Sequence, residues 1–305
     1  MPTKSLNLFL SKLIDYAGLF PPANLDLIPA LNNYRKYIDC EDSWMMSQFI
    51  IPLNDLKNIS VKDMELFDDS FPLDLSILSG NLANDIEKLN SFKNLYPNKV
   101  KFSGLETRIS NLDELLDLLT STNSTIKNNN LNLSSFFELP YCENWLVKME
   151  NAINTISKFN KLNQTNFGFK LRCGGIKADM FPEPSFVSNA ILSCIKNEVP
   201  TKFTAGLHHP VRHFNDSVNT KMYGFFNIFI GGMLAQKFNL NFNQLVEILT
   251  DEDEANFIFN EDEFRWKNYK IKNEEIEQYR SKNFISYGSC SFDEPREDLT
   301  NLGIF

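Results

Sequence analysis

Five ionic side chains stand where a chain usually buries hydrocarbon. Glu106, Glu138, Lys170, Arg172 and Lys202 each lie toward the end of a short run of apolar and β-favouring residues. The runs read VKFSGLETR, SSFFEL, NFGFKLR and PTKFTAGL, and Glu106, Glu138, Lys170 and Lys202 succeed one another at intervals of 32 residues. Two lysines on neighbouring strands are an arrangement that can make an amine nucleophilic. To react readily at neutral pH a lysine must fall from about 10.4 to about 7, a change of roughly 4–5 kcal/mol; a like charge at about 4 Å supplies roughly 4 kcal/mol where the effective dielectric is near 20. Arg172 adds to that repulsion, whereas Glu106 and Glu138 oppose it. The chemistry suggested is a Schiff base between a lysine and a carbonyl substrate, with a carboxylate or a histidine moving protons.

All three histidines, His208, His209 and His213, fall in GLHHPVRH directly after the last of these runs. Beside Arg212 at the end of a strand, His208 or His209 is the candidate acid, base or ligand. Arg108, Lys170, Arg172, Lys202 and Arg212 concentrate positive potential in a protein whose net charge is −9. That favours a small anionic substrate, such as a carboxylate or a phosphate. Thr204 and Ser289 add hydroxyls, and the Gly174-Gly175 turn could offer backbone N–H groups to the anion. Cys290, in GSCSFDEP, has no nucleophile signature around it and reads as a small residue between serines.

Side chains alternate faces along a strand, so parity says what these elements position. In NFGFKLRC one face carries Gly168, Lys170 and Arg172 and the other Phe167, Phe169, Leu171 and Cys173; the charged face looks inward and the apolar face meets helices. The same rule groups Lys202 with Thr204 and Gly206, and Gly104 with Glu106 and Arg108. Helical periodicity over Asn111–Thr120, Trp145–Lys158 and Phe186–Lys196 separates the strands. Further strands are predicted at Asp15–Phe20, Gln48–Leu53, Leu73–Leu78 and Phe284–Ser289, which brings the count to eight. Eight strands alternating with helices predict an α/β fold, a (β/α)8 TIM-type barrel, with the charges at the C-terminal rim where such barrels act. Residues 213–283 read as an enlarged helical connection between the seventh and eighth strands, with helices near Phe225–Lys237, Phe242–Thr250 and Asn273–Lys282. The Asn-rich stretch Ser121–Asn132 reads as a surface loop on the far side of the barrel.

GFKLRCGG and TKFTAGLHH resemble the paired lysine strands of class I aldolases built on (β/α)8 barrels, deoxyribose-phosphate aldolases in particular. Lys202-Phe203-Thr204-Ala205-Gly206 matches their K-x-[ST]-x-G form, and Lys170 with Gly174 and Gly175 looks like the second lysine strand. The similarity covers about twenty residues; Arg172 stands where that family has a small residue, and the two strands come in reverse order. The resemblance implies a lyase in which Lys202 is the nucleophile and Lys170 lowers its pKa, with no cofactor; the family's acidic proton-transfer residue has no counterpart in the matched segments, and the residues themselves offer Glu138 and His208 for that role. A second reading makes Glu106, Glu138 and His208 or His209 ligands of a divalent ion in a lyase or hydrolase, although HxH and HExxH are missing. A third is a barrel that binds a small anion without turnover.

The 305 residues, 43% hydrophobic and 23% charged, suffice for one large core and are read as a single domain spanning 1–305. The negative balance argues against nucleic acid or an anionic membrane as partner. Tyr223–Ala235 is apolar but too short to cross a bilayer and contains Asn227. Five scattered cysteines with no CxxC pair point to a reducing, cytoplasmic setting. The apolar helix near Phe225 leaves a lid or a homo-oligomeric contact open.

Overall fold

A computed structural model describes residues 2–305. Seven parallel strands come first: β1 (Ile14–Tyr16), β2 (Met46–Pro52), β3 (Leu73–Leu78), β4 (Val100–Arg108), β5 (Ser134–Glu138), β6 (Gly168–Arg172) and β7 (Thr201–Thr204). A long connection then carries the hairpin β8 (His213–Asn215) and β9 (Thr220–Met222), and an antiparallel sheet of β10 (Phe257–Phe259), β11 (Glu263–Trp266) and β12 (Tyr269–Lys272). Strand β13 (Phe284–Ser289) returns between β7 and β1 and closes the barrel, pairing Ile14 with Tyr287. The chain folds as a (β/α)8 barrel of the TIM type.

Helix α1 (Lys4–Leu10) precedes the barrel, and α2 (Leu27–Ile38), α3 (Leu82–Leu95), α4 (Leu115–Asn128), α5 (Trp145–Asn163) and α6 (Pro184–Asn197) pack around it. Their starts and stops follow local chemistry. Asn81 accepts from the Ala83 N–H to cap α3, Pro184 opens α6 where its missing N–H costs nothing, and α5 ends on Gln164 in the left-handed conformation. Residues 121–128, expected in a loop, continue α4 instead. The Thr120 and Thr125 hydroxyls bond back to the carbonyls of Leu116 and Ser121, so polar side chains that disfavour a helix are spent inside it.

The connection between β7 and β13 holds α7 (Phe225–Phe238), α8 (Phe242–Thr250) and α9 (Asn273–Lys282) besides its five short strands. From Phe225 to Ala235 helix α7 is buried on every side, and its sequence is correspondingly apolar all round. Phe229 meets Phe203 and Tyr287 of the barrel wall, and a Cβ on Gly232 would lie 2.5 Å from the Phe284 ring. The Asn227 amide in its first turn is buried but satisfied: it donates to the carbonyls of Ile248 and Asp251 and accepts from the Arg212 N–H. Among the described residues no helix is long and apolar enough to cross a membrane. All five cysteines are free.

Parity sorts the barrel wall. Leu75, Ile77, Leu105, Phe137, Phe169, Leu171 and Phe203 are buried in the apolar core, while Ser76, Glu106, Lys170 and Lys202, at the opposite parity, reach one another across the lumen. The first strand is shorter than expected and ends at Tyr16, so Ala17–Phe20 lie in the loop above it. Strand β7 ends at Thr204 because Ala205 and Gly206 turn the chain with φ of 63° and 70°.

Candidate active site in the barrel lumen

The register sets the site. Across neighbouring strands Arg108 pairs with Glu138, Glu138 with Lys170, and Lys170 with Lys202, which brings these inward-facing residues to adjacent heights. Their charged ends join into one row. Glu138 lies 3.4 Å from the Arg172 Nε and 2.8 Å from the Lys170 Nζ; Lys170 lies 2.7 Å from Glu106. Glu106 continues to Lys202 at 2.7 Å, and Lys202 to Asp15 at 2.7 Å. Signs alternate along the whole row, so each buried ion has an opposite charge beside it.

Hydroxyls complete it. Ser76 donates to Glu106 at 2.7 Å, Ser286 donates to Asp15 at 2.5 Å, and the Gln48 backbone N–H donates to the other Asp15 oxygen. The row decides the protonation states. Burial alone would raise the Glu106 carboxyl, but Lys170 and Lys202 outweigh it and hold it well below the usual carboxylate range. Glu138 is lowered in the same way, against burial, by Lys170 and then Arg172. Burial works to lower both lysines, yet Glu106 and Glu138 raise Lys170, and Asp15 and Glu106 raise Lys202. The expected depression of one lysine by the other is therefore corrected: Glu106 stands between the two ammonium groups and reverses the sign.

The two lysines also differ in access. A cavity of about 510 Å³ opens at the C-terminal mouth, lined by Glu106, Arg108, Glu138, Lys170, Arg172, Thr204 and His208 among others. Lys202 is not in its wall. It is 2% exposed and borders a separate basal cavity of about 330 Å³, with Gln48, Ser134, Arg280 and Ser286.

The remaining predicted residues distribute as follows. Gly175 lines the mouth; Gly174 lies against the Phe181 ring and the Gly206 backbone, where a Cβ would fall within 2.5 and 2.9 Å. His208 Nδ1 pairs with Glu294 at 2.9 Å on α10 (Asp293–Asn301), and the Ser289 hydroxyl stands 3.5 Å from the same nitrogen. His209 pairs with Asp298 of that helix, and His213 packs against His209; neither lines the mouth. Arg212 lies outside the cavity, over the Tyr223 ring and 3.9 Å from Glu252. Cys290 lines the mouth, but burial pushes its thiol up to about 11.

Sequence reasoning missed Asp15, Ser76, Ser286 and Glu294. A signal existed for the first two: Asp15 is the one charged residue in LIDYA, and Ser76 is a polar residue between apolar neighbours in LSI. Glu294 comes to His208 through the last helix, from 86 residues away in sequence, and no local pattern announces it. As metal ligands the carboxylates are already engaged with lysine, arginine and serine, and the histidines with α10; among the described residues no three His, Cys, Asp or Glu side chains converge on one point. No family model matches the chain, and neither does any curated protein.

Proposed function

We propose that this barrel is a lyase of the aldolase type, acting on a small anionic carbonyl compound through an imine on Lys170. The supporting observation is that Lys170 borders the mouth cavity between two carboxylates, below the arginines at its rim, while Lys202 is closed off from it. Lys170 thus takes the nucleophile's role first assigned to Lys202, and Lys202 becomes the buried counter-charge of Glu106 and Asp15.

A raised lysine pKa does not disqualify the amine. An ammonium group and a carbonyl combine to an iminium ion and water, so the positive charge held by Glu106 and Glu138 before reaction is still there after it. Attack needs the neutral amine for a moment. Glu138, 2.8 Å away, is placed to take that proton and return it to the carbinolamine oxygen, which leaves as water. The iminium then accepts the electron pair of the breaking C–C bond as an enamine. His208, held by Glu294 at Nδ1, keeps Nε2 for the proton released or taken up by the departing carbonyl fragment.

The raised pKa also favours a second reading, in which Lys170 stays protonated and polarises a carbonyl while His208 moves a proton to make an enol. Borohydride reduction in the presence of 2-oxo acids and short aldehydes, followed by intact mass and peptide mapping, separates the two. The imine reading expects an adduct on Lys170, lost in Lys170→Met, retained in Lys202→Met, and forming faster from pH 7 to pH 10 as the neutral amine becomes more abundant. Turnover without any adduct selects the enol reading, and saturable binding without turnover selects a barrel that only binds its anion.

A further inference from the structure

We propose that the mouth cavity selects a molecule with one negative charge and a short hydrocarbon tail, and discriminates against phosphorylated or polyhydroxylated carbonyl compounds. The inference deepens the proposed function and rests on the mouth being the substrate site.

Charge comes first. The ionic residues of the wall, His208 and the Glu294 carboxylate it pairs with apart, are three cations, Arg108, Lys170 and Arg172, against two carboxylates, Glu106 and Glu138. Adding Lys202 and Asp15 beneath them leaves the balance unchanged at one positive charge. Arg108 is the odd member: it is exposed at the rim and has no ion pair among the described residues, whereas Arg172 shares Glu138. A monocarboxylate neutralises that surplus. A phosphate ester, at about −1.5 to −2 near pH 7, would leave the cavity with excess negative charge beside Glu138.

The shape of the wall supplies the second part. Strands follow one another around the barrel in the order β1-β13-β7-β6-β5-β4-β3-β2. Arg108, Glu138 and Arg172 cap β4, β5 and β6, so the ionic arc is centred on β5. Four places away in a ring of eight lies β1, diametrically opposite. There the wall is Phe20, Pro21 and Pro22 of the loop after β1, with Ile50 of β2 beside it; Ile176 and Met180 add apolar surface from the loop after β6. Prolines bring no N–H, and hydrocarbon offers no partner to a hydroxyl. A polyol can meet Ser79 and Thr204 on the flanks, but its end against this wall would find no partner, whereas an alkyl chain gains contact there. The cavity's 510 Å³ lies toward the small end of ligand pockets.

The test is calorimetric titration of the full-length protein with the straight-chain 2-oxo acids from pyruvate to 2-oxohexanoate, and with dihydroxyacetone phosphate and deoxyribose 5-phosphate. Affinity should rise about fourfold with each methylene group until the cavity is filled. Both phosphate esters should bind at least about tenfold more weakly than the longest acid. Phe20→Ser and Met180→Ser, at partly exposed loop positions, should flatten the chain-length slope; if the slope survives in both variants the apolar wall is wrongly assigned. Equal affinity along the series, tighter binding of the esters, or no binding of any acid overturns the proposal. Borohydride reduction of the same mixtures keeps the two claims apart. A chain-length slope without an adduct preserves the selectivity and removes the imine, whereas an adduct formed equally with acids and esters does the opposite.

Discussion

The two ends of the barrel lumen are built from similar parts and do different things. At the mouth, Lys170 sits between Glu106 and Glu138; toward the base, Lys202 sits between Asp15 and Glu106. The two lysines are register partners on neighbouring strands, each with two carboxylates at hydrogen-bonding distance and each with a raised pKa. What separates them is what closes over them. Arg108 and Arg172 make an electropositive rim beside Lys170, whereas the basal cavity is bordered by Lys12, Glu277, serines, Gln48 and an Arg280 already donating to the carbonyls of Phe9, Ser11, Phe284 and Ile285. Residue type and partner count do not distinguish the two lysines here; the end of the barrel each one faces does, Lys170 the C-terminal mouth where such barrels act and Lys202 the base.

The largest effect expected from breaking this comparison is on stability. Glu106→Leu removes the carboxylate that both lysines share and should cost about 3–5 kcal/mol, read as a shift of the urea midpoint. Lys202→Met should cost nearly as much, because it leaves Asp15 buried with hydroxyl and amide donors but no cation. Lys170→Met should cost less, since Glu138 retains Arg172 and water can reach the mouth.

Stability against pH sharpens the same contrast. The carboxyls of Glu106 and Glu138 are lowered by folding, so their contribution is full above the unfolded value of about 4.3 and is lost as pH falls below it. The lysines are raised, so their contribution is full below about 10.4 and is lost as pH climbs through the folded values. Urea titrations should therefore give a plateau between those limits, with the alkaline limb reduced in Lys202→Met. A limb of unchanged size would break the assignment of Lys202 to the buried row.

Smallest is the effect of Arg108→Gln. It should leave the urea midpoint within about 0.5 kcal/mol of the parent, as expected for an exposed side chain without an ion pair. It should nevertheless weaken binding of a 2-oxo monocarboxylate by about tenfold, measured by calorimetry.

Much of this was legible before any coordinates. The apolar, β-favouring runs mark all eight barrel strands, and parity within NFGFKLRC and VKFSGLETR puts Lys170, Arg172, Glu106 and Arg108 on one face. The rest was hidden for identifiable reasons. Asp15, the residue that closes the row, stands out as a charge in an apolar run, but its three-residue strand is too short for alternation to say which face it takes. Strands β10 to β12 are only three or four residues long, so the alternation in EFRW and YKIK covers too few residues to mark a strand. Sequence distance also concealed the partners of His208 and His209, which arrive on the last helix. The pKa-lowering role of a second lysine failed because parity locates a face and not the order of charges across it.

The row from Arg172 to Asp15 has a consequence for anyone who titrates the protein. Glu138, Lys170, Glu106 and Lys202 each share their proton affinity with the next, so a bell-shaped rate profile measured with substrate would yield apparent constants that belong to these four groups jointly. Replacing Asp15, out of sight at the far end, would then displace a limb of that profile as surely as replacing a residue the substrate touches.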